Sequence, residues 1–499
     1  MSPPTDTPPA VQPHIGIIGA GVSGLRCADV LLSEGYQVTI LEARGRIGGR
    51  MNSDTQSISC VESLSVLTLS PFRSGPNWIH AQTENSEPHA ISRLAEDTGT
   101  PMHSWNDKQL IFDSNGSAVP ADTTERLSTL LWEIIEEAFN FSADAQKGTS
   151  TIDNDASLYD FIRDQAKEKL SDENERALLL KMSEMFGAYI GEPVWRQSLK
   201  FAWMEECCGG EELFVESNYS KILEKIAQPV ESRARILLNT YADSISSSEA
   251  RERGGKVHVG TKNGDSLAFD EVVVTTPLGW LKRNQDAFTP RLPSRISSAI
   301  ENISLSQLEK VFITFPSVFW NAKPELDDFP CYTNWLTPEY AEGSNPQHWP
   351  QEIWDLSTFR SPNNHPTILF YTYGDCARHI VNAISDMSRE DEHAFLDEFF
   401  RPYYSRLPNY SPDNDNCRPK AILATKWLKD DLNGNASYCN FQVGVQEADE
   451  DVLTFRRGCP DRRLWFCGEH AAPFDECGTV AGAYLSGEAA GQRIIATYA

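Results

Sequence analysis

Near the start of the chain, Gly19-Ala20-Gly21-Val22-Ser23-Gly24 spaces three glycines as GxGxxG, and a carboxylate, Glu42, stands at the end of the next apolar run. Glycines at this spacing allow a tight turn, close approach of backbone to a pyrophosphate, and close packing of helix on strand. The helix N-terminus that follows offers partial positive charge to phosphate, and the acid can bind ribose hydroxyls. Gly19, Gly21, Gly24 and Glu42 are therefore candidates for holding a dinucleotide. The stretch Glu42-Ala43-Arg44-Gly45-Arg46-Ile47-Gly48-Gly49-Arg50 then sets a second glycine pair between arginines. An NAD site has no need of it, whereas the long pyrophosphate crossing of FAD can use its backbone NH groups and guanidinium charge. Arg44, Gly49 and Arg50 join the cofactor candidates. Lys310, in LEKVFITF, is a candidate of another kind, because an ammonium on a buried strand is costly without a partner or a task.

These residues need particular elements to hold them. IGIIGAGVSGLRCADVLLSEGYQVTILEA reads as apolar strand, glycine turn, helix to about Glu34, a stop at Gly35 and a second strand over Gln37 to Leu41, a βαβ opening. From Pro88 to about Gly187 the pattern turns helical, with an apolar stripe in ERLSTLLWEIIEEAF. Strands return at ARILLN and in KVHVGTKNGDSLAFDEVVVTTPLGWL, where Asn263-Gly264 signals a hairpin. Further strands are expected at Lys310 to Phe315, Thr367 to Tyr373 and Ala421 to Trp427, a helix at EDEHAFLDEFFRPYYSRL, and a closing strand, turn and helix from LWFCGEH onward.

At 499 residues the chain is too long for one ordinary core, so two domains, interleaved or consecutive, are expected. With 40% apolar residues, 23% charged residues and a formal charge of −27, it reads as an acidic globular protein that would repel nucleic acid and attract cations. No run is apolar enough to span a membrane, and MSPPTDTPPAVQP lacks the regions of a secretory signal. An intracellular, cytoplasmic setting is expected. Eleven cysteines without paired CxxC spacing point to buried thiols in a reducing compartment and to no metal site.

LEARxRIGGR resembles the FAD signature of the flavin-containing amine oxidase family, which includes polyamine and monoamine oxidases, and the resemblance recurs from Ile15 to Ile495. It implies an α/β (α+β) fold with a Rossmann-like FAD domain from residues 14–90, 205–295 and 435–499. A substrate domain of mixed sheet and helices would come from 91–204 and 296–434, with 1–13 as a flexible tail. Gly75-Pro76-Asn77-Trp78-Ile79-His80 looks like the segment passing the flavin ring, which makes Trp78 and Ile79 cofactor contacts. Val273 to Gly279 is similar to the family's VVxTxPLG turn. Lys310 matches the lysine that holds a water against flavin N5. Trp427 and Asp430 resemble WxxD, and Tyr438 matches the tyrosine forming one wall of an aromatic clamp. In CGEHAAPFDECGTVAGAYLSGEAAG, Glu469 would bind the ribityl or pyrophosphate region, and the Thr479-Val480 backbone would meet the pyrimidine edge. Ala242 would stand beside adenine.

Several positions depart from the family pattern. Thr479 replaces the second aromatic wall, so the clamp is expected to admit a bulkier or secondary amine; Lys310, Tyr438 and Thr479 are the catalytic-site candidates. Glu216-Ser217-Asn218-Tyr219-Ser220 replaces GGYS, and Ser437 stands where monoamine oxidases carry a flavin-linked cysteine, which implies noncovalent FAD. Glu205, Glu206, Glu211 and Glu212 could recognise the distal ammonium of a polyamine or line a solvated surface. The implied activity is oxidation of a small-molecule amine by hydride transfer to flavin N5, imine hydrolysis, and reoxidation by O2 to give H2O2. An L-amino acid oxidase, or an oxidase of secondary metabolism, is the alternative.

One run fits none of this. Ser57 to Arg73 intervenes where the family passes directly from GGR to the WIH segment, and it reads either as a longer hairpin or as a translated intron. Impaired cofactor binding, and hence a protein without catalysis, is the consequence of the second reading.

Overall fold

The computed structural model describes residues 12–51, 75–80, 89–148, 150–205, 212–251, 254–321 and 329–499. The run from Ser57 to Arg73 lies outside them, as do most of the N-terminal tail and Glu206 and Glu211.

The βαβ opening forms as the sequence expects: strand His14–Ile18, helix Val22–Ser33, strand Gln37–Leu41. The first strand is apolar because the sheet has it at its centre. A five-stranded sheet orders Leu464–Phe466, Glu271–Val274, His14–Ile18, Gln37–Leu41 and Arg235–Leu237, with every pairing parallel. Its neighbours thus arrive from three distant stretches of chain. Helix Val22–Ser33 packs along helix Val480–Tyr498, so closely that a Cβ on Gly487 would lie 2.1 Å from the Ser23 carbonyl.

A second sheet carries the other half. Its six strands run in the order Ala421–Ala424, Leu308–Thr314, Thr367–Tyr373, Gln351–Asp355, Tyr332–Trp335 and Gln109–Phe112, antiparallel except for the last pair. One face sets Val311, Ile313, Phe370 and Ile353 against helices Gly374–Ile384 and Arg389–Tyr404. The opposite face bears Phe312, Leu369 and Tyr371 and packs on Trp78 and Phe214. The expected strand over Ala421 to Trp427 ends at Ala424. Beyond it the buried Glu309 carboxylate accepts the Leu428 backbone NH at 3.1 Å, and Trp427–Lys429 turns out of the sheet as a short helix.

The helical stretch folds as helices Ala121–Gln146, Leu158–Lys169 and Glu173–Met182. Leu127, Leu131, Ile134, Ile135 and Ala138 of the longest form one buried stripe at helical spacing. Ser157 and Asp160 close a reciprocal capping box at the start of the second. Among the described residues no helix is long and apolar enough to cross a membrane, and the described cysteines are buried free thiols.

Candidate active site

A cavity of 510 Å³ opens at the carboxyl ends of the parallel strands, where Gly19, Glu42, Thr275 and Gly468 line it, and continues to the inner face of the six-stranded sheet. Ligands of open α/β sheets bind at such strand ends.

The residues at this end suit a dinucleotide, and the glycine turn shows how. Gly19 is held at φ +109°, and a Cβ on Gly24 would lie 2.2 Å from the Gly19 carbonyl oxygen, so both positions require glycine for the turn itself. Gly21 differs: a Cβ there meets no protein atom within 4 Å, because the position faces the cavity. It is also the N-cap of the helix and makes no side-chain cap, and the first turn carries no acid. The helix therefore presents backbone NH groups and the positive end of its dipole to a phosphate group.

Glu42 is locked in place: one carboxylate oxygen accepts the Ala20 NH and the other the Arg44 NH, each at 2.8 Å. Arg44 in turn grips both carboxylate oxygens of Asp430, at 2.7 and 2.8 Å. Arg50 donates to the Ser437 carbonyl at 2.7 Å and to Glu469 at 3.2 Å. Burial pushes the Glu469 carboxyl up, but the Arg50 charge and the Cys439 NH hold it below the usual carboxylate range. His470 lines the same cavity, and both of its ring nitrogens are buried without a partner, which leaves polar atoms for a ligand to satisfy. Donors, dipole and orphaned ring nitrogens fit a flavin dinucleotide.

Lys310 stands at the other end of the cavity, on the inner face of strand Leu308–Thr314. Its ammonium donates to the Gly75 carbonyl and lies 5.8 Å from the Tyr371 ring centroid. Burial drives its pKa down to about 7, against the opposing pull of Glu309. The Tyr371 hydroxyl donates to Asn77 at 3.2 Å and accepts from Trp78 Nε1 at 3.2 Å. The Tyr219 hydroxyl donates to the Trp78 carbonyl, which ties the ESNYS segment to the WIH segment.

Tyr438 borders the cavity with its hydroxyl fixed to the Tyr189 carbonyl at 2.8 Å. Thr479 supplies no opposing ring. Its hydroxyl caps helix Val480–Tyr498 by accepting the Gly482 NH at 2.8 Å, and it donates to the Glu476 carbonyl at 2.8 Å. The Ser437 hydroxyl is occupied as well, donating to the Leu308 carbonyl at 2.7 Å.

The sequence-derived candidates other than Gly24 line this one cavity, including Gly49, Ile79, Ala242, Trp427 and Val480. Of the four glutamates considered for ammonium recognition, Glu205 and Glu212 line it too; Glu212 lies 3.3 Å from His80. Burial alone would lower His80, yet the Glu212 carboxylate outweighs it and leaves the imidazole above its ordinary value. Sequence reasoning missed Glu352. It lies on strand Gln351–Asp355, whose residues QEIWD carry no clean alternation, and burial pushes its carboxyl up to about 8.

A family model described as flavin containing amine oxidoreductase matches residues 22–495. A protein named "Probable polyamine oxidase 4" from Arabidopsis thaliana is 25% identical over 496 residues, spanning 97% of this chain and 87% of its own. "Lysine-specific histone demethylase 1 homolog 2" from Arabidopsis thaliana is 26% identical over 489 residues, spanning 96% of this chain but 58% of its own. Among solved structures, "Cyclohexylamine Oxidase from Brevibacterium oxydans IH-35A" has a TM-score of 0.68 at 18% identity, covering 98% of this chain and 99% of that one, which shows a shared fold.

Proposed function

The chain belongs to the flavin containing amine oxidoreductase family, and from that premise we propose that it oxidises a neutral primary or secondary amine, with a polyamine or diamine among the candidates, using noncovalently held FAD. When bound, FAD supplies two-electron oxidation of the C–H bond beside nitrogen and passes the electrons to O2 as H2O2, leaving an imine for hydrolysis.

The observation that carries this reading is Lys310. A lysine held near neutrality shares one cavity with a dinucleotide cradle. In its unprotonated form its Nζ keeps a lone pair free to take a proton from an incoming ammonium or to hold a water. Because a protonated amine has no lone pair to assist loss of hydride, a site that accepts that proton makes the reactive form. Tyr438, fixed through its hydroxyl, offers a flat wall for the substrate, and Trp78 and Trp354 add apolar surface to the same cavity. The hydroxyl of Ser437 forms no thioether, in keeping with noncovalent FAD.

A substrate with a carboxylate needs a free cation. Among the described residues the arginines lining the cavity are Arg44 and Arg50, and both are engaged, with Asp430 and Glu469 respectively, near the dinucleotide cradle. Turnover assays with spermidine, a monoalkylamine and an L-amino acid, with product identification, separate the readings. Amines are expected to be oxidised and the amino acid left intact; oxidation of the amino acid alone would overturn the proposal.

A further inference from the structure

The strand that carries Lys310 into the cavity carries a carboxyl on its other side. Side chains alternate along a strand, so Glu309 shares the face of Val311 and Ile313, away from the cavity, and it is 1% exposed. Hydrogen bonds reach it from several directions. The Thr425 hydroxyl donates to one oxygen at 2.5 Å, the Gln307 amide and the Leu428 NH donate to the other at 2.7 and 3.1 Å, and the Trp427 NH donates as well. Thr425 also clasps the lysine's backbone: its hydroxyl accepts the Lys310 NH at 2.8 Å, and its NH donates to the Lys310 carbonyl at 2.9 Å. Carboxyl and lysine are therefore held by one set of contacts.

The groups bonded to Glu309 are neutral donors. They favour the ionised carboxylate, while burial opposes it and pushes its pKa up to about 7. Charged residues nearby are engaged elsewhere. Lys426, next to Thr425, donates to Glu392 of helix Arg389–Tyr404 at 2.8 Å. On helix Gly374–Ile384, which packs on the same strand, Arg378 pairs with Glu192 and Asp375, and His379 lies among the rings of Trp349, Phe395 and Phe399. On the cavity face, Tyr371 stands opposite Lys310, and Glu352, one strand further, is held toward its neutral form by burial. Among the described residues it is the Glu309 charge that pulls on the Lys310 ammonium, against the burial that lowers it.

We propose that Glu309 is a positioning residue of the amine oxidation, a carboxylate on the reverse face of the sheet that holds Lys310 in place through Thr425 and governs by its charge when that lysine can take a proton from the substrate. This inference rests on the amine oxidase reading above and deepens its account of Lys310. The two side chains leave the strand on opposite faces, so they act on one another through its backbone and not by contact. Two charges about 10 Å apart inside a protein change one another's proton affinity about tenfold. The ionised carboxylate keeps the proton on Lys310, and the two groups titrate as a pair. The same carboxylate fixes the turn Trp427–Lys429, and Trp427 lines the cavity.

The test is Glu309→Gln in the flavin-loaded enzyme, with the rate of anaerobic flavin reduction at saturating alkylamine followed across a pH series. Glutamine fills the same space and keeps an acceptor for the Leu428 NH, but it carries no charge. The midpoint of the rise in rate is expected to fall by about one pH unit. Below the wild-type midpoint the variant should then reduce its flavin several-fold faster than the wild type, a gain that loosened packing does not produce. Glu309→Asp keeps the charge at shorter reach, and its midpoint is expected to stay near that of the wild type even where its rate falls. Retained flavin absorbance shows that each variant is folded. A midpoint that Glu309→Gln leaves in place or moves upward overturns the assignment. Where that variant holds no flavin, a fall of a full pH unit in Glu309→Asp overturns it, and loss of flavin from both variants overturns it in favour of a purely structural carboxyl. A wild-type rate that is flat in pH overturns this proposal together with the proton-accepting role of Lys310, whereas flavin that no amine reduces overturns the amine oxidase reading itself.

Discussion

In the proposed reaction Lys310 couples the chemistry of the site to its pH dependence. Its folded pKa of about 7 lies below its ordinary value of 10.5, so between these pH values the unfolded chain binds a proton that the native chain does not. Stability contributed through this group therefore rises with pH across that window. Lys310→Met, similar in volume and without a charge to desolvate, is expected to raise Tm at neutral pH and to flatten the rise between neutral and alkaline pH, as read by thermal melts across a pH series. Flavin reduction in the same variant should slow by about 100-fold, the usual worth of a positioned proton acceptor, with FAD still bound. Unchanged reduction kinetics would remove Lys310 from the mechanism. The importance of this lysine was legible in the sequence from two signals together, the cost of burying an ammonium in LEKVFITF and the resemblance of that segment to the family's flavin-facing lysine; a strand-end lysine reaching solvent was the alternative on the residues alone. The place of Glu352 in the cavity was not legible, since nothing local in QEIWD says which face the glutamate occupies; its position opposite Tyr371 is set by pairing with a strand many residues away.

At the scale of elements, the glycine turn divides into positions that the fold requires and one, Gly21, that faces the open cavity where the proposed FAD would lie. Gly24→Ala would drive a methyl group into the Gly19 carbonyl, whereas Gly21→Ala would place one in open cavity. Gly24→Ala is thus expected to lower Tm by several degrees. Gly21→Ala should keep the apoprotein's melting behaviour while weakening FAD binding about tenfold or more, a loss of some 1.4 kcal/mol, as measured by fluorescence titration. Equal effects of the two on Tm would contradict this division. The βαβ opening could be read from sequence because apolar strand, glycines and amphipathic helix follow one another within a short stretch. Strands Tyr332–Trp335 and Gln351–Asp355 could not, because both faces are covered, with Trp335 and Ile353 packed toward helices Gly374–Ile384 and Arg389–Tyr404 and Tyr332 and Trp354 toward helix Ala121–Gln146, and no polar and apolar alternation survives. Trp427 lies beyond the end of the strand that was expected to include it for a different reason: a long-range hydrogen bond from the Leu428 NH to Glu309 decides the local backbone there.

At the scale of the molecule, segments far apart in sequence meet at one cavity. Arg44 binds Asp430 and Arg50 binds Glu469, so the cofactor segment near the N-terminus is bolted to the C-terminal third by two ion pairs. The family match from 22 to 495 agrees with a site assembled from the whole chain. The run Ser57 to Arg73 falls between two of these converging segments, and a protein that cannot hold flavin is the alternative it raises. The most direct measurement is anaerobic mixing of the purified protein with an amine, followed at the flavin absorbance band over a range of pH. The account predicts a yellow protein whose flavin is bleached by the amine, at a rate that increases as pH rises through about 7, the value at which Lys310 gives up its proton. A colourless protein that stays free of flavin when FAD is added, or bound flavin that no amine reduces at any pH, would contradict it.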